Sequence, residues 1–349
     1  MLQARSDRYS IATTHGHHKG ARAPHAPVRR ERACAMSNGK LHFEPDRELD
    51  GVLRVSAEPD LPRPRVVVIG GLHGNEPCGL QAIDRVLEAL RDGALPWRAG
   101  TAVFVRGNLA ASACGCRHTP EGVDLNRQFD YAFESSLPAD RWVHEHRRAH
   151  ELRPLLEDAD ALLDLHSATR PTPPFAIATR DDRSFELACR LGLPWVVRGW
   201  EGPGLVGEQV VLSVLTRLER PAVGVECGQH DEPAAADVAY RCTLRFLRAT
   251  GVLADDPSEP QLDEPARPLL LRLTEVLKKP SPSFRFARPL RGLERLERGS
   301  VVGGDRAIEV RLRRDAYVLL PNDEVAVGHD VLYLAQPESD PDSAATGPR

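Results

Sequence analysis

Val66-Val67-Val68-Ile69-Gly70-Gly71-Leu72-His73-Gly74-Asn75-Glu76 decides how this chain is read. Four consecutive β-type apolar residues run straight into a glycine-rich turn, the pattern of a strand buried on both faces that ends in a tight loop. The loop carries two side chains able to bind a metal, His73 and Glu76. Its glycines let the backbone bend sharply and approach an ion or a substrate closely. Two later segments repeat the design: Leu163-Asp164-Leu165-His166-Ser167 and Val223-Gly224-Val225-Glu226-Cys227-Gly228. Each is an apolar run ending in one chemically capable residue. Two His and one Glu make a zinc set of the catalytic kind, which leaves a coordination position for water. A further Glu would be the base that such a water needs.

Around these segments strands and helices alternate from residue 41 to about 250. Strands are expected at Arg65–Gly70, Thr101–Val105, Ala161–Leu165, Phe175–Ala178, Trp195–Val197 and Ala222–Glu226. Leu80, Ile83, Leu87 and Leu90 fall at helical spacing. So do Leu152, Leu155 and Leu156 in the segment 139–157, and Val238, Leu244 and Leu247 in 234–250. This alternation predicts an α/β fold, a mixed and mostly parallel sheet flanked by helices. Sites in such folds gather at the carboxyl ends of the strands, where His73, His166 and Glu226 lie. In Asp164-Leu165-His166 the period of two puts Asp164 on the face of His166, as an orienting neighbour.

Residues 1–40 hold eight Lys and Arg against two acids and lack apolar periodicity, the composition of a disordered basic tail. Met36 begins a segment that reads more like a natural start. His15, His17 and His18 read as solvated tail residues. The catalytic region is expected over 41–254 and a Pro- and acid-rich linker over 255–267. A small β-rich domain follows over 268–336, with strands at Glu309–Leu312, Ala316–Leu320 and Val331–Leu334. A frayed tail closes the chain at 337–349.

The 349 residues are 41% hydrophobic and 28% charged, with a net charge of −4. That is ordinary globular composition, with nothing that favours nucleic acid or an anionic membrane. No apolar run approaches the roughly 20 residues that span a bilayer. Seven scattered cysteines are an odd number and make no disulfide framework, so a reducing cytoplasm is expected. Cys114 and Cys116 read as free thiols, because no second Cys or His pair answers them at zinc-site spacing.

Gly107-Asn108 follows a strand and leads, past Arg117, to Asp124-Leu125-Asn126-Arg127. Arg grips carboxylates through a planar fork, and Asn126 can donate beside it. Taken in order, Gly71-x-His73-Gly74-Asn75-Glu76, Gly107-Asn108 with Asp124-Leu125-Asn126-Arg127, Asp164-Leu165-His166 and Val225-Glu226-x-Gly228 resemble the succinylglutamate desuccinylase/aspartoacylase family. That family belongs to the wider zinc-carboxypeptidase-like group. The resemblance covers residues 65 to 250. It implies one zinc per chain held by His73, Glu76 and His166, with Glu226 as general base and acid. It also implies that Arg117, Asn126 and Arg127 bind the carboxylates of an N-acyl amino acid. His166-Ser167-Ala168-Thr169-Arg170, followed by Phe175-Ala176, is more similar to the desuccinylase branch than to the aspartoacylase branch.

The expected reaction is hydrolysis of an amide between an acyl group and an amino acid. A metallocarboxypeptidase acting on peptides shares the metal set but needs an open groove. A non-catalytic metal-dependent binding protein on the same scaffold would not need Glu226. The expected partner is a small molecule, with no nucleic acid and no membrane; a homo-oligomer is compatible with the sequence.

Overall fold

The computed structural model describes residues 40–201, 205, 207–255 and 268–338. The expected N-terminal tail, the linker from residue 256 and the C-terminal tail from 339 lie outside the described residues. Along the chain run β1 (His42–Pro45), β2 (Val52–Ser56), β3 (Arg65–Gly70), α1 (Cys78–Arg91), β4 (Thr101–Arg106), α2 (Leu109–Cys114), α3 (Phe133–Ser136), α4 (His144–Asp158) and β5 (Ala161–Ala168). There follow β6 (Phe175–Ala178), α5 (Asp182–Arg190), β7 (Trp195–Arg198), α6 (Leu212–Arg217), β8 (Ala222–Gln229) and α7 (Pro233–Ala249). The C-terminal part is β-rich: β9 (Leu269–Lys278), β10 (Arg285–Phe286), β11 (Arg295–Leu296), β12 (Val301–Gly304), β13 (Glu309–Arg311), β14 (Ala316–Leu319) and β15 (Asp330–Pro337).

One sheet of twelve strands runs through these elements, in the order β1-β2-β4-β3-β5-β8-β6-β7-β9-β15-β14-β11. Its centre, β4-β3-β5-β8, is parallel. β6 enters antiparallel to β8, and β7 and β9 then continue parallel to β6. The C-terminal strands therefore extend the main sheet through the β7–β9 pair. β10, β12 and β13 form a separate three-stranded sheet.

Period-two alternation in β3 explains the layering. Val66 and Val68 face one core with α1, α5 and α7. Val67 and Ile69 face the other with α4 and α6. All four side chains are buried, as a doubly covered parallel strand requires. β3 connects onward to β4 on one side, while β5 lies on its other side and is followed in the sheet by β8. The switch between these directions opens a crevice at the carboxyl ends of β3 and β5.

Two glycines let α1 start close to that crevice. A Cβ at Gly70 would lie 2.5 Å from the carbonyl carbon of Gly79, so strand end and helix start touch backbone to backbone. The β4–α2 connection is equally tight. Gly107 N donates to Gly70 O and Asn108 N to Gly71 O, and a Cβ at Gly74 would lie 2.1 Å from the carbonyl carbon of Ala111. Among the described residues no helix is long and apolar enough to cross a membrane.

Gly70→Ala is expected to lower unfolding stability by about 1–3 kcal/mol or more through overpacking against Gly79. Denaturant unfolding checks this; an unchanged midpoint would show that the strand–helix approach is not tight.

Candidate metal and substrate site

His73 and Glu76 come from the loop after β3, and His166 from the end of β5. Their ligand atoms lie within 4.8 Å of one another and all three side chains are buried. Glu76 sits between the rings. Its Oε1 is 2.8 Å from His73 Nδ1 and its Oε2 is 2.9 Å from His166 Nδ1. Oε2 also accepts the backbone N–H of Ser167 at 3.0 Å.

The far nitrogens of both rings are anchored by acids. His73 Nε2 lies 2.9 Å from Asp124 Oδ1, and His166 Nε2 lies 2.7 Å from Asp164 Oδ2. This is the arrangement in which a ligating imidazole donates its second N–H to a carboxylate, which fixes the ring and raises the basicity of the nitrogen facing the ion. Both Nδ1 atoms and the Glu76 carboxylate then converge on one point. The donor set and its supporting acids fit a divalent metal ion.

The electrostatics agree. Burial alone would raise Glu76, but the two imidazoles outweigh it and hold the carboxyl well below its usual range. Asp124 behaves alike, with burial opposed by His73 and Arg117. Burial would lower His166, and Asp164 and Glu76 together lift it well above its usual value. A bound cation replaces the protons these rings otherwise attract, so metal affinity falls as pH falls.

Glu226 ends the apolar run of β8, with its Cα paired to that of His166. It is buried, and its Oε2 has no hydrogen-bond partner among the described residues. Burial pushes its carboxyl up to about 7. A buried carboxyl poised near neutrality beside a metal-capable cluster can hold or release a proton at working pH.

The expected substrate residues all line the same cavity. Arg117 donates through Nη2 to Asp124 Oδ2 at 2.8 Å and lies 3.7 Å from Glu76 Oε1. Asn126 Nδ2 is 3.3 Å from His166 Nε2, and its Oδ1 accepts the Val211 N–H at 2.8 Å. Arg127 donates to the carbonyl of Asn126. Arg170 turns away from the rings, toward Asp323 and Glu324 of the C-terminal part. Cys114 and Cys116 are free, as are the other four described cysteines.

Some contributors escaped sequence reasoning. Asp124 stood in a quoted motif without a role of its own; it also caps the turn at Leu125–Arg127 by accepting the Asn126 N–H. Ser167 acts through its backbone, and its hydroxyl lies 2.9 Å from His230 Nδ1. Tyr333 and Trp200 meet edge to face at 5.0 Å in the cavity wall. Tyr333 arrives on β15, and nothing local in the sequence places it there. The cavity encloses about 640 Å³, and Asn322, Val325, His329 and Tyr333 bring the C-terminal part over it.

Fold and site thus define an α/β protein with a metal-capable His/Glu/His group at the carboxyl ends of parallel strands. Residues 62–248 match the succinylglutamate desuccinylase/aspartoacylase catalytic domain, and the chain belongs to that family. A rat protein described as an N-acyl-aromatic-L-amino acid amidohydrolase (carboxylate-forming) is 34% identical over 153 residues, 40% of this chain and 47% of the rat protein. The chain spans less than half the length of the curated relatives it matches. Two solved structures share the fold. Succinylglutamate desuccinylase from Vibrio cholerae has a TM-score of 0.67 at 18% identity, covering 86% of this chain and 93% of that one. A succinylglutamate desuccinylase/aspartoacylase from Rhodobacter sphaeroides has a TM-score of 0.64 at 21% identity, covering 83% and 89%.

Asp164→Asn is expected to weaken metal binding roughly 10–100-fold, because His166 loses its anchoring carboxylate. Chelator competition measures it; an unchanged affinity would contradict the anchoring role.

Proposed function

We propose that this protein is a zinc-dependent amidohydrolase that cleaves the amide bond of an N-acyl amino acid. Family membership and the curated relatives support the reaction class. The observation that carries it is Glu226, buried beside the His/Glu/His cluster with Oε2 free and its carboxyl raised to about 7.

His73, Glu76 and His166 would hold the ion; two imidazoles and a carboxylate suit zinc. Bound there, zinc would supply Lewis acidity to the scissile carbonyl and would lower the pKa of the attacking water toward neutrality. Glu226 takes the proton of the attacking water on Oε2 and returns it to the amide nitrogen as the amine leaves. Arg127 and Arg117 hold the substrate carboxylate and Asn126 donates beside them, which supplies orientation. Residues of the C-terminal part, among them Asn322, Val325, His329 and Tyr333, line one side of the cavity, whose volume of about 640 Å³ accommodates a small acylated amino acid. A reducing, cytoplasmic setting goes with this reading, supported by the free state of all six described cysteines.

The test is metal content together with hydrolysis of an N-acyl amino acid panel, on native protein and on Glu226→Gln. Native protein should carry about one zinc per chain and release free amino acid. Glu226→Gln should keep its zinc and lose activity by roughly 10²–10⁴-fold, the usual weight of general acid–base catalysis. Turnover unaffected by Glu226→Gln would overturn the mechanism.

A further inference from the structure

Glu145 is a buried acid that the proposed reaction does not call on. It stands in the first turn of α4, and its side chain is shut off from solvent. Its Oε1 accepts the backbone N–H of Thr119 at 2.7 Å and the side-chain amide of Asn108 at 3.1 Å. Its Oε2 accepts the Thr119 hydroxyl at 3.1 Å and the Val123 N–H at 3.3 Å. A buried carboxylate is tolerated only when its oxygens are satisfied, so these bonds fix the groups that make them as firmly as they fix the acid.

The loop that Glu145 holds is the one behind His73. Thr119 lies two residues after Arg117, and Val123 directly precedes Asp124. Asp124 Oδ1 lies 2.9 Å from His73 Nε2, and the carbonyl of Arg117 accepts the Gly74 N–H at 3.3 Å. Both ends of the loop thus meet the metal-capable turn, and Glu145 grips the stretch between them. Gly122 packs closely against the same carboxylate. A Cβ there would lie 2.2 Å from Glu145 Oε2 and 2.3 Å from Thr119 Oγ1. Three residues along α4, Arg148 Nε donates to the carbonyl of Gly107 at 2.8 Å and ties the helix to the end of β4.

Among the described residues every partner of this carboxylate donates to it. An amide of the same shape cannot replace it, because one of its two ends is itself a donor. With the amide nitrogen in the place of Oε2, the Thr119 hydroxyl can rotate to accept, but the Val123 N–H cannot. With the nitrogen in the place of Oε1, it faces the Thr119 N–H. Asn108 cannot turn over to help, since its Oδ1 caps α2 through the Ala111 N–H at 3.0 Å. Either way a backbone N–H of the loop loses its acceptor. On the assignment of His73, Glu76 and His166 as metal ligands, we propose that Glu145 is a positioning residue for the metal centre: its carboxylate sets the 117–124 loop so that Asp124 stands behind the ring of His73.

The experiment measures zinc affinity by chelator competition on the full chain. It compares native protein with Glu145→Gln, Gly122→Ala, Asp124→Asn and the double variant of Glu145→Gln with Asp124→Asn, each checked for cooperative thermal unfolding. Asp124→Asn should weaken zinc binding about 10–100-fold, and Glu145→Gln about 10-fold, because the acid behind His73 is lost in one and misplaced in the other. Gly122→Ala presses on the same carboxylate from the loop side. It should weaken zinc binding in the same direction and serves if Glu145→Gln does not fold. The double variant should bind zinc about as Asp124→Asn does, since Glu145 then has no acid left to position. Unchanged affinity in either folded variant would overturn the proposal. So would losses that multiply in the double variant, which would leave Glu145 a purely structural residue. Native protein that binds no zinc would sink the ligand assignment and this proposal together; native binding with unmoved variants sinks this proposal alone.

Discussion

Everything at the site depends on where the Glu76 carboxylate sits, with one oxygen on each of two imidazoles. His73 and His166 lie far apart in sequence, His73 in the loop after β3 and His166 on its parallel neighbour β5. They can share one carboxylate only if the loop after β3 turns back over the sheet without lifting away from it. The glycines permit that. Gly70 against Gly79 and Gly74 against Ala111 are backbone contacts that no side chain would allow. Asp124 and Asp164 then lock the rings from behind. Three buried acids, the half-buried Asp124 and two imidazoles crowded together make a costly arrangement, and a bound cation relieves it.

Much of this was legible because the apolar runs and their terminal residues are local signals. The buried β3 leads into the loop that carries His73, β5 and β8 carry His166 and Glu226 towards their carboxyl ends, and the two-residue spacing of Asp164 and His166 foretold their contact. Strand ends ran longer than expected, β5 to Ala168 and β8 to Gln229, since sheet pairing carries extended backbone past the apolar run. The strands β1, β2, β9, β10, β11 and β12 were not anticipated. β1 and β9 are half-exposed and carry charges, so their pattern is weak and tertiary pairing decides them. Helices α2, α3, α5 and α6 were missed because each is short.

The C-terminal part shows the limit of local reading most clearly. Short strands and frequent turns there indicate β structure. They do not indicate that β9 pairs with β7 and so carries Tyr333 and the loop around Asn322 over the cavity. That pairing joins residues 74 apart in sequence, Trp195 with Leu269, and rests on registry. Arg170, bridged to Asp323 and Glu324, fastens the same junction from the β5 side.

X-ray absorption at the zinc edge, on protein loaded with one equivalent of zinc, tests the central claim most directly. The account predicts a first shell of nitrogen and oxygen only, with two imidazoles at about 2.0–2.1 Å and carboxylate oxygen at similar range. Sulfur at about 2.3 Å would place the ion on cysteines such as Cys114 and Cys116. That result, or a failure to bind zinc stoichiometrically, would contradict the assignment of His73, Glu76 and His166.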